Sequence, residues 1–115
     1  MVWDVRFNNG INLPQIGWWL DARRPQFRSF VSHAHGDHLG AHHEILATRA
    51  TASLMRLRIS GRRQETILEF EKPWQAKFGC EMRLFPAGHI FGSAMLHATT
   101  EQGSLLYQSL HKFVH

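Results

Sequence analysis

The chain has a single cysteine, Cys80, which excludes an internal disulfide framework. No apolar run approaches the ~20 residues that a membrane-spanning helix requires. The start, Met1-Val2-Trp3-Asp4-Val5-Arg6, lacks the basic stretch and apolar segment of a secretory leader. These absences point to the cytoplasm and away from a membrane. There is no internal repeat and no low-complexity linker. A charged fraction of 19% against 43% hydrophobic residues excludes a disordered composition, and 115 residues suffice for one small domain with its own core. Acidic residues are the minority sign, 9 against 13 Lys and Arg, for a formal net charge of +4. That balance suits a polyanionic partner such as nucleic acid.

Histidine, by contrast, is abundant. There are 9 in the chain, and five fall between His33 and His43. The densest stretch is His33-Ala34-His35-Gly36-Asp37-His38, directly after the apolar Phe30-Val31. Neutral imidazole is the commonest protein ligand for a divalent transition metal, and carboxylate joins it readily. Ligands this dense cannot share one strand or helix face, so they need a loop that turns back on itself, for which Gly36 supplies backbone freedom. The spacing predicts a metal-binding loop at a strand end. His33 and His35 face one ion, and Asp37 and His38 project toward a second. A two-metal site activates water and clamps the scissile group, as phosphodiester cleavage requires. A histidine-rich surface loop is the competing reading, and the preceding apolar strand counts against it. A further histidine, His89, stands among small residues in Pro86-Ala87-Gly88-His89-Ile90-Phe91-Gly92-Ser93-Ala94 and completes a three-histidine set. Zinc, manganese and iron all accept these ligands.

Along the chain, residues 1–20 read as short strands, with Asn8-Asn9-Gly10 as a turn. Phe27 to Ser32 reads as a buried strand. Leu39 to Glu44 reads as one helical turn carrying solvated His42 and His43, and Ile45-Leu46-Ala47 as a short strand. A helix follows over Thr51–Ile59, with Thr48 or Thr51 as N-cap and Leu54, Leu57 and Met55 toward the core. Arg56, Arg58, Arg62 and Arg63 make its end basic. They either complement the helix macrodipole or contact a nucleic-acid backbone. Thr66–Phe70, Cys80–Phe85, Ser93–Thr99 and Ser104–Tyr107 read as strands, the last two joined by a turn at Glu101-Gln102-Gly103. Cys80 and His97 read as structural residues, and Trp18 and Trp19 as packing. Asp21 reads either as a turn residue or as an acceptor that orients a ligand histidine.

Phe30-Val-Ser-His-Ala-His-Gly-Asp-His38, with Pro86-Ala-Gly-His-Ile-Phe-Gly-Ser-Ala94, resembles the metallo-β-lactamase superfamily. More narrowly it resembles the nuclease branch, the exonucleases similar to mRNA 3′-end processing factors. The resemblance implies an α/β (α+β) fold, the αββα sandwich, of which this chain looks like a truncated N-terminal half. The implied domain is 1–107, with a divergent tail at 108–115. It implies His33, His35 and His89 as one zinc's ligands, Asp37 and His38 as the second's, and Asp37 as catalytic through the attacking water. The implied activity is a zinc-dependent hydrolase acting on RNA or DNA. The alternatives are an inactive zinc-binding fragment, or a hydrolase of small esters and thioesters. In such nucleases a Thr-Gly-Asp step follows the strand that ends here at Tyr107, and its aspartate bridges both metals. No aspartate follows Tyr107 here, so one zinc rather than two is expected. Half a sandwich leaves an exposed sheet surface, through which a homo-oligomer would form.

Overall fold

The computed structural model describes residues 3–34, 40–87 and 93–109. The order is β1 (Arg6–Phe7), β2 (Ile11–Leu13), β3 (Trp18–Leu20), β4 (Arg28–Phe30), β5 (Glu44–Ala47), α1 (Arg49–Arg58), β6 (Gln64–Ile67), β7 (Trp74–Ala76), β8 (Cys80–Pro86), β9 (Ala94–Thr100) and β10 (Gly103–Tyr107). They form a six-stranded sheet, β1-β2-β3-β4-β5-β6, and a four-stranded sheet, β10-β9-β8-β7. In the first sheet β1, β2 and β3 pair antiparallel, whereas β3, β4, β5 and β6 run parallel. The second sheet is antiparallel throughout.

Local chemistry accounts for the elements. At the β1–β2 turn Asn9 and Gly10 both take positive φ, 52° and 134°, as a tight hairpin demands. Gly10 is also sterically fixed, because a Cβ there would lie 2.6 Å from the Ala22 Cα. β8 and β9 alternate buried and half-buried residues, the period of a sheet with one face inward. Their inner residues Cys80, Met82, Leu84, Leu96 and Ala98 meet Leu13, Trp18, Leu20, Phe30 and Leu46 of the first sheet, and this is the main core. Trp18 packs edge-on against Trp74 across it, centroids 6.0 Å apart. The first sheet's other face, with Val31, Ile45 and Ala47, is covered by Ala52 and Met55 of α1.

The result is three layers, one helix and two sheets, with strand the dominant element. It is not the expected metallo-β-lactamase αββα sandwich: among the described residues there is a single helix, and no helical layer covers the four-stranded sheet. Two local expectations also change. The helix begins two residues earlier, at Arg49, and of the two expected N-caps it uses Thr48, whose hydroxyl accepts from the Thr51 N–H at 3.2 Å. It turns Thr51, Ala52 and Met55 inward, while Leu54 and Leu57 face out at 39% and 83% exposure. Among the described residues no helical turn precedes β5; His42 is buried, and its backbone N–H donates to the Gly40 carbonyl at 2.9 Å, a tight turn just before the strand. No helix among the described residues is long and apolar enough to cross a membrane.

Candidate functional site

The parallel strands β3 and β4 end at the same edge of the first sheet, where open sheets of this kind commonly bind ligands. Leaving β3, Asp21 adopts φ 48°, a left-handed conformation that aspartate tolerates better than most residues. The residue is buried, and its carboxylate is satisfied from two elements. Oδ1 accepts the Ser32 N–H at 2.8 Å, and Oδ2 accepts both the Ser32 hydroxyl at 2.7 Å and the Tyr107 hydroxyl at 2.8 Å. Ser32 Oγ lies 2.7 Å from His33 Nδ1.

Proton accounting fixes the direction of this relay. The serine hydroxyl owns one hydrogen, and a carboxylate can only accept. With that hydrogen on Asp21, Ser32 Oγ must accept from His33. The imidazole therefore carries a proton on Nδ1, and in its neutral form its lone pair lies on Nε2. Asp21 is thus both the turn residue and, through Ser32, the residue that orients His33. Tyr107 closes the chain of bonds from the second sheet. Burial, then the charge and hydrogen bond of Asp21, push its hydroxyl far above the usual tyrosine range, while Ser109 and Arg23 act in the opposite sense.

Backbone bonds hold the flanks of the two histidine-bearing segments together. The Ala94 N–H donates to the Ser32 carbonyl at 2.9 Å, and the Ala87 N–H to the Ser93 carbonyl at 3.1 Å. The Arg58 guanidinium donates to the Ala34 carbonyl at 2.6 Å, fastening the helix end to the residue that follows His33. His33, 1% exposed, is the one expected ligand within this geometry. His35, Asp37, His38 and His89 lie outside the described residues. Among the described residues no group of three or more His, Cys, Asp and Glu is placed to hold a metal ion.

Most of the expected basic contacts are committed within the chain. Arg56 forms a forked ion pair with Glu65, with Nε 2.9 Å from Oε2, which draws the Glu65 carboxyl below its ordinary range. Arg63 donates to the Ile59 carbonyl at 2.9 Å. Arg62 is exposed and forms no hydrogen bond or ion pair among the described residues. Burial raises the Cys80 thiol, as an inert core residue requires. His97 sits half-buried on β9 beside Phe85. His42, far from solvated, accepts the Gln26 N–H on Nδ1 at 3.0 Å. Sequence reasoning missed Ser32 and Tyr107. The serine between an apolar strand and the first histidine was a legible signal; a partner at the far end of the chain was not.

A cavity of about 540 Å³ opens beside this relay, lined by Phe7, Asn8, Asn9, Asp21, Arg23 and Tyr107 among others.

No family model matches the chain. It is 56% identical over 108 residues to a probable DNA ligase of Opitutus terrae, a match covering 93% of this chain. The chain spans only 11% of that relative's length. The relative is named for DNA ligation, and no metallo-β-lactamase model matches. With the layer architecture, these findings overturn the assignment to the metallo-β-lactamase nuclease branch. The zinc-dependent hydrolase, the exonuclease with its mRNA 3′-end processing role, and the small-ester hydrolase fall with it.

Proposed function

We propose that this chain is a DNA-contacting module of the kind built into a larger DNA-joining protein, working in the cytoplasm. The carrying observation is the 56% identity to a segment of a probable DNA ligase. The net charge of +4 supports it, as does the exposed Arg62 beside the helix end. Fluorescence anisotropy with single-stranded and nicked duplex oligodeoxynucleotides tests the reading. Binding that weakens steeply with salt is expected, and salt-independent binding or none would reject it.

A second reading concerns the histidines alone. We propose that His33, with His35, Asp37, His38 and His89, holds a divalent cation such as zinc, in a positioning role and without hydrolysis. The Asp21–Ser32 relay supports this, because it leaves the Nε2 lone pair on His33, the form a metal ligand needs. A bound zinc would supply a fixed positive charge at this sheet edge. Elemental analysis of the wild type and His33→Ala checks it; equal metal content in both excludes His33 as a ligand.

The unit boundary after Tyr107 and self-association through the outer face of the four-stranded sheet are further proposals. Sedimentation against concentration tests the second.

A further inference from the structure

We infer that the cavity beside Asp21 and Tyr107 receives one nucleotide of a single DNA strand; the inference rests on the DNA-contacting reading above. Its volume, about 540 Å³, lies within the range of small-molecule sites. Its chemistry is divided as a nucleotide is divided. Phe7 lines one side and is 79% exposed, a large ring held in water on an edge strand of only two residues. An exposed aromatic face is a stacking surface that accepts any base. Asn8 and Asn9 add amides, each both donor and acceptor, suited to base edges. Arg23 is exposed at the same cavity and, among the described residues, forms no ion pair. A guanidinium in that state is a fork for phosphate oxygens.

Asp21 also lines the cavity and sets the polarity of binding. A phosphate near its carboxylate is repelled, whereas one beside Arg23 is attracted. The base therefore enters against Phe7 and the phosphate stays at Arg23. A second cavity also joins a ring, amides and a cation, in Trp74, Gln75 and Lys77, but its Trp74 is half-buried, and Glu44, paired with Arg28 at 3.0 Å, adds a carboxylate to its lining. Another, lined by Ile67, Leu68 and Phe70, is largely apolar.

The test uses the full chain and a fluorescent single-stranded oligodeoxynucleotide. Phe7→Ala should weaken binding roughly 5- to 150-fold, the range for loss of one stacked base. Arg23→Gln should weaken it and lower the salt slope by about 0.7 to 1. Wild-type affinity in both variants overturns the inference. If Arg62→Gln weakens binding while Phe7→Ala and Arg23→Gln do not, the strand-binding reading stands and the cavity falls. If no strand binds the wild type, both fall. Phe7 and Arg23 are exposed, so circular dichroism of the variants should match wild type.

Discussion

The Tyr107 hydroxyl donates to Asp21 Oδ2 at 2.8 Å across 86 positions of sequence, and it ties the last strand of one sheet to the exit of a central strand of the other. A hydrogen bond to a charged group contributes about 1.5–3 kcal/mol. Tyr107→Phe should lower unfolding stability in urea by that order while leaving the fold intact.

Tyr107 is the chain's single tyrosine, so its ionisation can be followed alone. Its folded-state pKa is raised far above the unfolded value of about 10. Above that value the unfolded chain loses the proton while the native chain keeps it, so stability must fall as pH rises. Phenolate absorbance should therefore appear together with unfolding rather than before it. Tyr107→Phe should flatten the alkaline decline.

His42 behaves in the opposite sense. Burial, with the nearby Arg63 charge, lowers its pKa despite an opposing backbone contact. Below about 6.5 the unfolded chain takes up a proton that the native chain refuses. Its contribution is complete above that value and diminishes as pH falls toward the lowered folded value. Denaturant titrations at stepped pH should show this slope, and His42→Gln should remove it.

Gly40 lies against the same ring. A Cβ at that position would lie 2.5 Å from His42 Cε1 and 3.1 Å from the Arg24 carbonyl oxygen. Gly40→Ala should therefore destabilise by roughly 1–3 kcal/mol, the usual cost of overpacking, and calorimetry would show the lowered Tm.

The helix register gives a paired prediction. Met55→Ala should cost about 2–5 kcal/mol, and Leu57→Ala should stay within roughly 0.5 kcal/mol of wild type. Thr48→Ala should cost about 1 kcal/mol through loss of the N-cap. Urea midpoints of the three variants would decide whether the apolar or the small-residue face is buried.

For DNA affinity, Arg62→Gln should weaken binding more than Arg56→Gln, because the Arg56 fork is already engaged by Glu65. Anisotropy at two salt concentrations would separate them.

Elements whose partners are near in sequence were legible. β8, β9 and β10 follow from alternation and the turn at Glu101-Gln102-Gly103, and β2 follows from Asn8-Asn9-Gly10. The helix was legible in extent but not in face. Leu54 and Leu57 look inward by hydropathy, yet the sheet surface under α1 accepts Thr51, Ala52 and Met55 instead. A short helix carries too few apolar positions to fix its rotation. The layer count was misjudged because it came from resemblance, and strand pairing such as β4 between β3 and β5 is set by contacts remote in sequence. Asp21 was legible as the turn residue it is; of the other role, direct acceptance of a histidine N–H, the structure shows only an indirect form, because Ser32 stands between its carboxylate and His33. His42 was misread because its burial depends on Gly40 and on Gln26, whose approach no local pattern reveals.

The bond from the Ala94 N–H to the Ser32 carbonyl has a kinetic consequence. It closes a loop containing β5, α1, β6, β7 and β8, and the entropy of that closure is recovered only once both sheets have docked. In pulse-labelled refolding the Ala94 amide should thus be among the last to gain protection. It serves as a clock for the moment at which the edge carrying His33 comes into being.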